Sequence, residues 1–151
     1  MDKSEFKIIA QNRRARHEYF ILDTFEAGVV LTGPEIKSIR EGKVSLQEGF
    51  ARVEGGEIWL EEVYIAPYQY GGWVNPPSKR RRKLLLHREQ IRELQAKTRE
   101  KGLTLVPLRL YLKNGRAKVE LGLARGKHAY DKREAIAERE AKREMERAVR
   151  V

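Results

Sequence analysis

Two clusters of cationic side chains are the residues of this chain best suited to do chemistry. Asn12-Arg13-Arg14-Ala15-Arg16-His17 sets three arginines and a histidine just ahead of an apolar stretch, and Lys79-Arg80-Arg81-Arg82-Lys83 is the densest run of charge. A guanidinium presents a planar fork of N–H donors that matches two oxygens of a phosphate. Tyr68, Tyr70 and Trp73 precede the second run, and aromatic faces stack on unpaired bases. A lone basic run is equally well read as a solvated or localisation-like segment. The second arginine cluster and the flanking aromatics favour an RNA-facing role.

Charge distribution points the same way. Lys and Arg number 32 against 22 Asp and Glu, a net charge of +10. Residues 1–70 carry nine basic and twelve acidic side chains, whereas 71–130 carry sixteen and four. A surplus gathered in one part of the chain is the footprint of a nucleic-acid partner; it says little about fold.

Other chemistries lack their residues. His17, His87 and His128 are far apart in sequence, without a metal-ligand partner at helical or knuckle spacing, and read as solvated or RNA-facing imidazoles. No phosphate-binding glycine loop, nucleophile elbow or dinucleotide fingerprint occurs. Glu57, Glu61 and Glu62 form a carboxylate group, but alternation puts Glu57 and Glu61 on the outward strand face if Ile58 and Leu60 are buried. The expectation is therefore no enzymatic activity, no cofactor and no metal. The absence of cysteine excludes disulfides and thiolate metal sites. No apolar run approaches the roughly 18 residues of a membrane span, and the first residues lack a signal peptide's apolar segment. A cytoplasmic protein with no membrane partner is expected.

The elements that must position these residues are mostly strands. Tyr19, Phe20, Ile21, Leu22, Phe25, Val29, Val30 and Leu31 read as two strands joined through Glu26-Ala27-Gly28, where Gly28 supplies a positive φ or a bulge. Gly33-Pro34-Glu35 opens a short helix ending before Gly42. Phe50–Glu54 and Glu57–Leu60 form a hairpin around Gly55-Gly56, and Leu103–Lys113 and Arg116–Ala124 another around Asn114-Gly115. Pro107 marks an edge or bulge position. Between the hairpins lie an exposed loop, Ile65 to Ser78, and an amphipathic helix, His87 to Lys101, with Ile91, Leu94 and Gln95 inward and Gly102 as its stop. Alternation assigns Phe20, Phe50 and Trp59 to packing. The pattern predicts a mainly β fold, an OB-type antiparallel β-barrel with peripheral helices; a β-sandwich is the rival, disfavoured by the helix between strand pairs.

The chain divides into a body, 1–125, and a hinge and C-terminal tail, 126–151. From Asp131 onward seven Lys or Arg and six Asp or Glu leave few residues to bury, so the tail cannot offset its ordering entropy with a core of its own. Asp131 and Glu134 resemble a capping box. The favourable i,i+4 pairs Glu138/Lys142 and Glu146/Arg150 are nearly cancelled by the like-charge pairs Arg139/Arg143, Glu140/Glu144 and Arg143/Arg147. An isolated helix there is marginal and is ordered by an environment that satisfies it. A constitutive helix on the body or in a coiled coil is the alternative.

The sequence resembles the bacterial SsrA-binding protein (SmpB) family over nearly its whole length. The resemblance rests on Asn12-Arg13-Arg14-Ala15-Arg16-His17-Glu18-Tyr19-Phe20-Ile21, Thr24-Phe25-Glu26-Ala27-Gly28, Glu35-Ile36-Lys37-Ser38, Arg82-Lys83-Leu84-Leu85-Leu86-His87, the segment from Lys101 to Leu108, and Gly122-Leu123-Ala124-Arg125-Gly126-Lys127 through Tyr130-Asp131-Lys132-Arg133. It implies a non-enzymatic, monomeric partner of transfer-messenger RNA, one copy per RNA, acting in rescue of stalled ribosomes. By the same resemblance Asn12, Arg14, Arg16, His17, Glu26, Lys83 and Leu85 would grip the tRNA-like domain. Gly126 and Lys127 would form a hinge, and Tyr130, Asp131, Lys132, Arg133 and Ile136 would meet the small ribosomal subunit RNA in the decoding region. The tail would be disordered when free and helical in the vacant mRNA channel. Two positions depart from the family pattern: Asn75-Pro76-Pro77 stands where Asn-His-x-Pro is common, and His128 replaces a frequent lysine.

Overall fold

The structure, a computed structural model, describes residues 5–100, 102–127, 139–145 and 147. Its main strands are β1 (Phe6–Gln11), β2 (Tyr19–Val29), β4 (Phe50–Glu54), β5 (Glu57–Glu61), β7 (Arg82–Leu85), β8 (Leu103–Lys113) and β9 (Arg116–Gly126). A two-stranded piece, β3 (Val44–Ser45) with β6 (Tyr64–Ile65), stands apart, and three helices lie outside: α1 (Arg13–Glu18), α2 (Gly33–Arg40) and α3 (Arg88–Thr98).

Every strand pairing is antiparallel, in the order β1-β8-β4-β5-β7-β2-β9, with β9 also paired to β8. Strands β8, β4, β5, β7, β2 and β9 therefore form a closed ring, and β1 adds to β8 beyond its contact with β4. One sheet closed on itself is a barrel, so the sandwich alternative falls. Closure leaves few free edges, the feature by which such folds avoid edge-to-edge association.

The turns follow from backbone chemistry. Gly55-Gly56 and Asn114-Gly115 all take positive φ, as two-residue hairpin turns that match strand twist require. Thr32 caps α2 in a reciprocal box with Glu35, with Pro34 in the first turn. On α3 Leu94 is fully buried, Ile91 packs on the core and Gln95 is half-buried. Ile58 and Leu60 are buried between half-buried Glu57 and Glu61, as alternation requires.

Three expectations need correction. The stretch after Glu18 is one eleven-residue strand, because β9 offers a partner along its whole length. Gly28 has neither positive φ nor a bulge; it pairs with Leu85 on β7, where a Cβ would meet that residue at an ordinary contact distance of 3.4 Å. Phe20 and Phe50 are exposed: alternation separates two faces of a strand but does not say which is inside. Two elements have no counterpart among the expectations: strand β1 near the start and helix α1 over the arginine cluster.

Candidate RNA interface

Strand β9 alternates without interruption, sending Val119, Leu121 and Leu123 into the barrel. Both of its neighbours bulge beside it, β2 between Ile21 and Asp23 and β8 between Pro107 and Arg109. A bulge reverses the face that odd and even residues take. Leu105 and Leu110 thus point inward, while Val106 and Leu108 join Ile21 and Ala124 in a second apolar cluster on the outside. Gly122 keeps that cluster low: a Cβ on it would come within 2.9 Å of Leu108 and 3.3 Å of Ile21.

Helix α1 sits on this platform through Ala15, its one buried residue. Asn12 fastens it. The buried Asn12 amide donates to Leu46 O (3.1 Å) and Pro107 O (2.9 Å), and its Oδ1 accepts from Ala15 N (3.1 Å). The asparagine is therefore a helix cap locked to the β8 bulge, and its side chain is fully engaged. Arg13, Arg14, Arg16 and His17 project from the platform, exposed. Arg14 bonds Glu18 at 2.9 Å and lines a groove of about 380 Å³ with Gln47, Glu48 and Phe50. Arg16 points the other way, toward Glu120 at 3.7 Å, as a two-residue step on a helix dictates.

Arg16 thereby joins the outer face of the barrel. Glu120 on β9 lies opposite Glu26 on β2, and two facing carboxylates are tolerable only because each has its own partners. Arg109 binds Glu120 at 2.7 Å. Glu26 accepts a hydrogen bond from the buried Tyr111 hydroxyl and lies 3.6 Å from Lys113. The Tyr111 bond, with help from Lys113, holds the Glu26 carboxyl below its ordinary range. Burial and the neighbouring Glu26 push the Tyr111 phenol well above its own. Phe6 stacks on Tyr111 at 4.8 Å, with Arg109 over both rings. Across β2 the face continues through Gly28 to Leu85, exposed on β7, and to Lys83 beside Trp59 on β5.

The second basic run behaves differently. Each of its five cations faces a carboxylate: Lys79 with Glu48 (3.2 Å), Arg80 with Glu35 (2.5 Å), Arg81 with Glu54 (2.5 Å), Arg82 with Glu35 (2.6 Å) and Lys83 with Glu57 (2.9 Å). Arg82 is 1% exposed and Glu35 3%. Burial works to raise the Glu35 carboxyl, but bonds from Arg80, the Thr32 N–H and Arg82 hold it below the ordinary range. The reading of this run as RNA-facing fails for Arg82 and Arg80, which turn to the buried Glu35, whereas Lys79, Arg81 and Lys83 keep side chains 47%, 38% and 41% exposed in surface pairs.

The sequence model of the SmpB protein family matches residues 9–151. The chain belongs to the SmpB family. The SsrA-binding protein of Thermobifida fusca (strain YX) is 66% identical over 144 residues, 95% of this chain and 90% of that protein. Its counterpart from Desulforudis audaxviator (strain MP104C) is 57% identical over 99% of this chain and 98% of its own. A solved chain described under "tmRNA-SmpB: a journey to the center of the bacterial ribosome" matches with a TM-score of 0.68 at 55% identity, over 80% of this chain and 85% of that one.

In this SmpB-family chain the residues singled out by resemblance fall into three places. Arg16, Glu26, Lys83 and Leu85 share the outer face; Arg14, which borders the groove, and His17 stand exposed on α1; Asn12 lies beneath. Gly126 ends β9 and Lys127 follows it next to α1, where Lys127 Nζ donates to Arg16 O (3.4 Å) and stands 5.2 Å from the Phe20 ring. Tyr130, Asp131, Lys132, Arg133 and Ile136 lie outside the described residues. Residues 139–145 are helical and exposed throughout. Sequence reasoning missed Arg109, Tyr111, Lys113 and Glu120. The signal was present: polar groups at every second position after Pro107, in a strand otherwise apolar.

Proposed function

We propose that this chain is an RNA-binding adaptor that holds the tRNA-like domain of transfer-messenger RNA and delivers it to stalled ribosomes for trans-translation. The observation that carries the reading is 66% identity, along 95% of the chain, to a protein named for binding SsrA RNA. The surface supports it. Arg16, Arg109 and Lys113 offer donors to phosphate, while Glu26, held ionised, can accept from base amino groups. Asn12 contributes by fixing α1 in place. Lys83 and Leu85 extend the grip along β7.

Residues 1–125 form the RNA-binding body, and 126–151 are hinge and tail. The tail leaves the barrel beside α1, enters the decoding centre through Tyr130, Asp131, Lys132 and Arg133, and becomes helical in the vacant mRNA channel with Ile136 on its apolar side. The protein works in the cytoplasm as a binding partner, one copy per RNA, without cofactor or catalysis of its own.

Competition binding tests the reading. Tight, salt-dependent binding to a folded tRNA-like RNA is expected, with unstructured oligonucleotide a poor competitor. Lys132→Ala with Arg133→Ala should leave that affinity unchanged and abolish tagging on stalled ribosomes. Equal competition by unstructured RNA would favour a generic single-strand binder; joint loss of both activities would refute the division between body and tail.

A further inference from the structure

The loop between β6 and β7 is a built projection. At its base the buried Arg82 guanidinium donates to Val63 O (2.7 Å) and Ser78 O (3.0 Å), tying both feet together, and Ile65 N donates to Ser78 O at 2.9 Å. Nearer the tip, Asn75 spans the loop a second time. Its Oδ1 accepts from Tyr68 N (2.9 Å), and its Nδ2 donates to Tyr68 O (3.0 Å) and Gly72 O (3.1 Å). Gly71 lies so close under Asn75 that a Cβ would meet its amide at 2.6 Å, and Gly72 takes a φ of +55°. What this scaffold holds out is apolar: Trp73 is 95% exposed, Tyr70 79% and Val74 51%.

A clamped loop that presents a tryptophan to water spends backbone order to expose a side chain the core would otherwise accept. Rigid aromatics give up little conformational freedom on binding, so the arrangement suits a ligand that stacks. The surroundings specify its charge. No Asp or Glu occurs between Glu62 and Glu89, and Lys37 of α2 stands 5.2 Å from the Tyr68 ring beside the tip. A loop with no carboxylate of its own and with a flanking ammonium accepts a base whose neighbouring phosphates are close by.

We propose that Trp73 is a stacking platform for an unpaired base of the same transfer-messenger RNA that the outer face of the barrel holds. The assignment rests on the adaptor reading above. Loop and grip are one unit, because the strand that leaves the loop carries Lys83 and Leu85, and Arg82 fixes the loop to that strand.

The test uses the full-length chain carrying Trp59→Phe, so that Trp73 is the remaining tryptophan, titrated with the tRNA-like domain. Emission from Trp73 should be quenched in step with binding. Trp73→Ala should weaken that binding by roughly tenfold, the order of one base–aromatic stack, and Trp73→Phe should restore most of it. Unchanged emission together with unchanged affinity of Trp73→Ala would overturn the platform while leaving the adaptor reading intact. Quenching by ribosomes or a protein component, but not by the isolated RNA, would likewise overturn it, as would equal quenching by a fully paired duplex. Failure of the unsubstituted chain to bind the tRNA-like domain would sink both.

Discussion

Arg80 and Arg82 deliver their guanidinium N–H groups to one interior carboxylate, Glu35, whereas Arg13, Arg14 and Arg16 stand exposed on a short helix, where Arg14 and Arg16 have only surface carboxylates as partners. Both segments are dense in arginine, and the fold uses them oppositely. In the first, the desolvation of three ionised groups is offset by mutual pairing and by carbonyl acceptors at Val63 and Ser78. In the second, a six-residue helix buries one alanine and leaves its cations exposed, with Arg14 on Glu18 and Arg16 near Glu120 in surface pairs that cost little to exchange for phosphate. Cation density along a chain thus does not measure cation availability; the placement of carboxylates elsewhere decides it.

The largest way to break the contrast is to remove Glu35. Glu35→Ala leaves two guanidinium groups without their anion, one of them fully buried, and should cost about 3 to 5 kcal/mol in urea unfolding. Because the folded carboxyl is held below its ordinary value of 4.5, its contribution is complete above that pH and is lost as pH falls through the folded value. Glu35→Gln should accordingly flatten the acid limb of the stability curve, and a loss under 1 kcal/mol at neutral pH would show that the pairing described does not bear on stability.

A smaller effect separates the two segments by function. Arg16→Ala should reduce the slope of log affinity against log salt for tRNA-like RNA by about 1, with stability within about 0.5 kcal/mol of the parent. Lys79→Ala, at an exposed pair with Glu48 in the other segment, should leave the slope unchanged. Equal slopes for the two variants would erase the distinction. The smallest effect concerns the acid on the outer face: Tyr111→Phe removes the hydroxyl bonded to Glu26, and the Glu26 carboxyl should titrate closer to 4.5, read by carbon NMR of the side chain.

Legibility in sequence followed the range of the interaction involved. The Gly55-Gly56 and Asn114-Gly115 turns could be read because positive φ is a property of two adjacent residues. Helix α3 was visible through its apolar spacing, and Pro107 did mark a bulge. Helix α1 was not visible: a run of arginines shows no apolar period, and its support comes from Leu46 and Pro107, 34 and 95 residues away from Asn12. The outward turn of Phe20 escaped for a related reason, since the bulge that resets β2 is defined against β9. On the site, Arg16, Glu26, Lys83 and Leu85 came from resemblance, and periodicity alone does not bring them together. The pairing of Arg82 with Glu35 spans 47 residues and leaves no local trace.

The ring of strands meets between β4 and β8 at one register pair, Ala51 with Leu105, whereas the pairing of β8 with β9 runs from Leu103 to Lys113. Helix α3 contacts both strands at this junction, with Leu94 fully buried in the core. Circular continuity therefore depends at this join on a wedge of side chains in place of a ladder of amides. The join of β2 with β7, at two register pairs, is the next thinnest, so α3 braces the ring where its ladder is shortest although it carries none of the groups proposed to touch RNA.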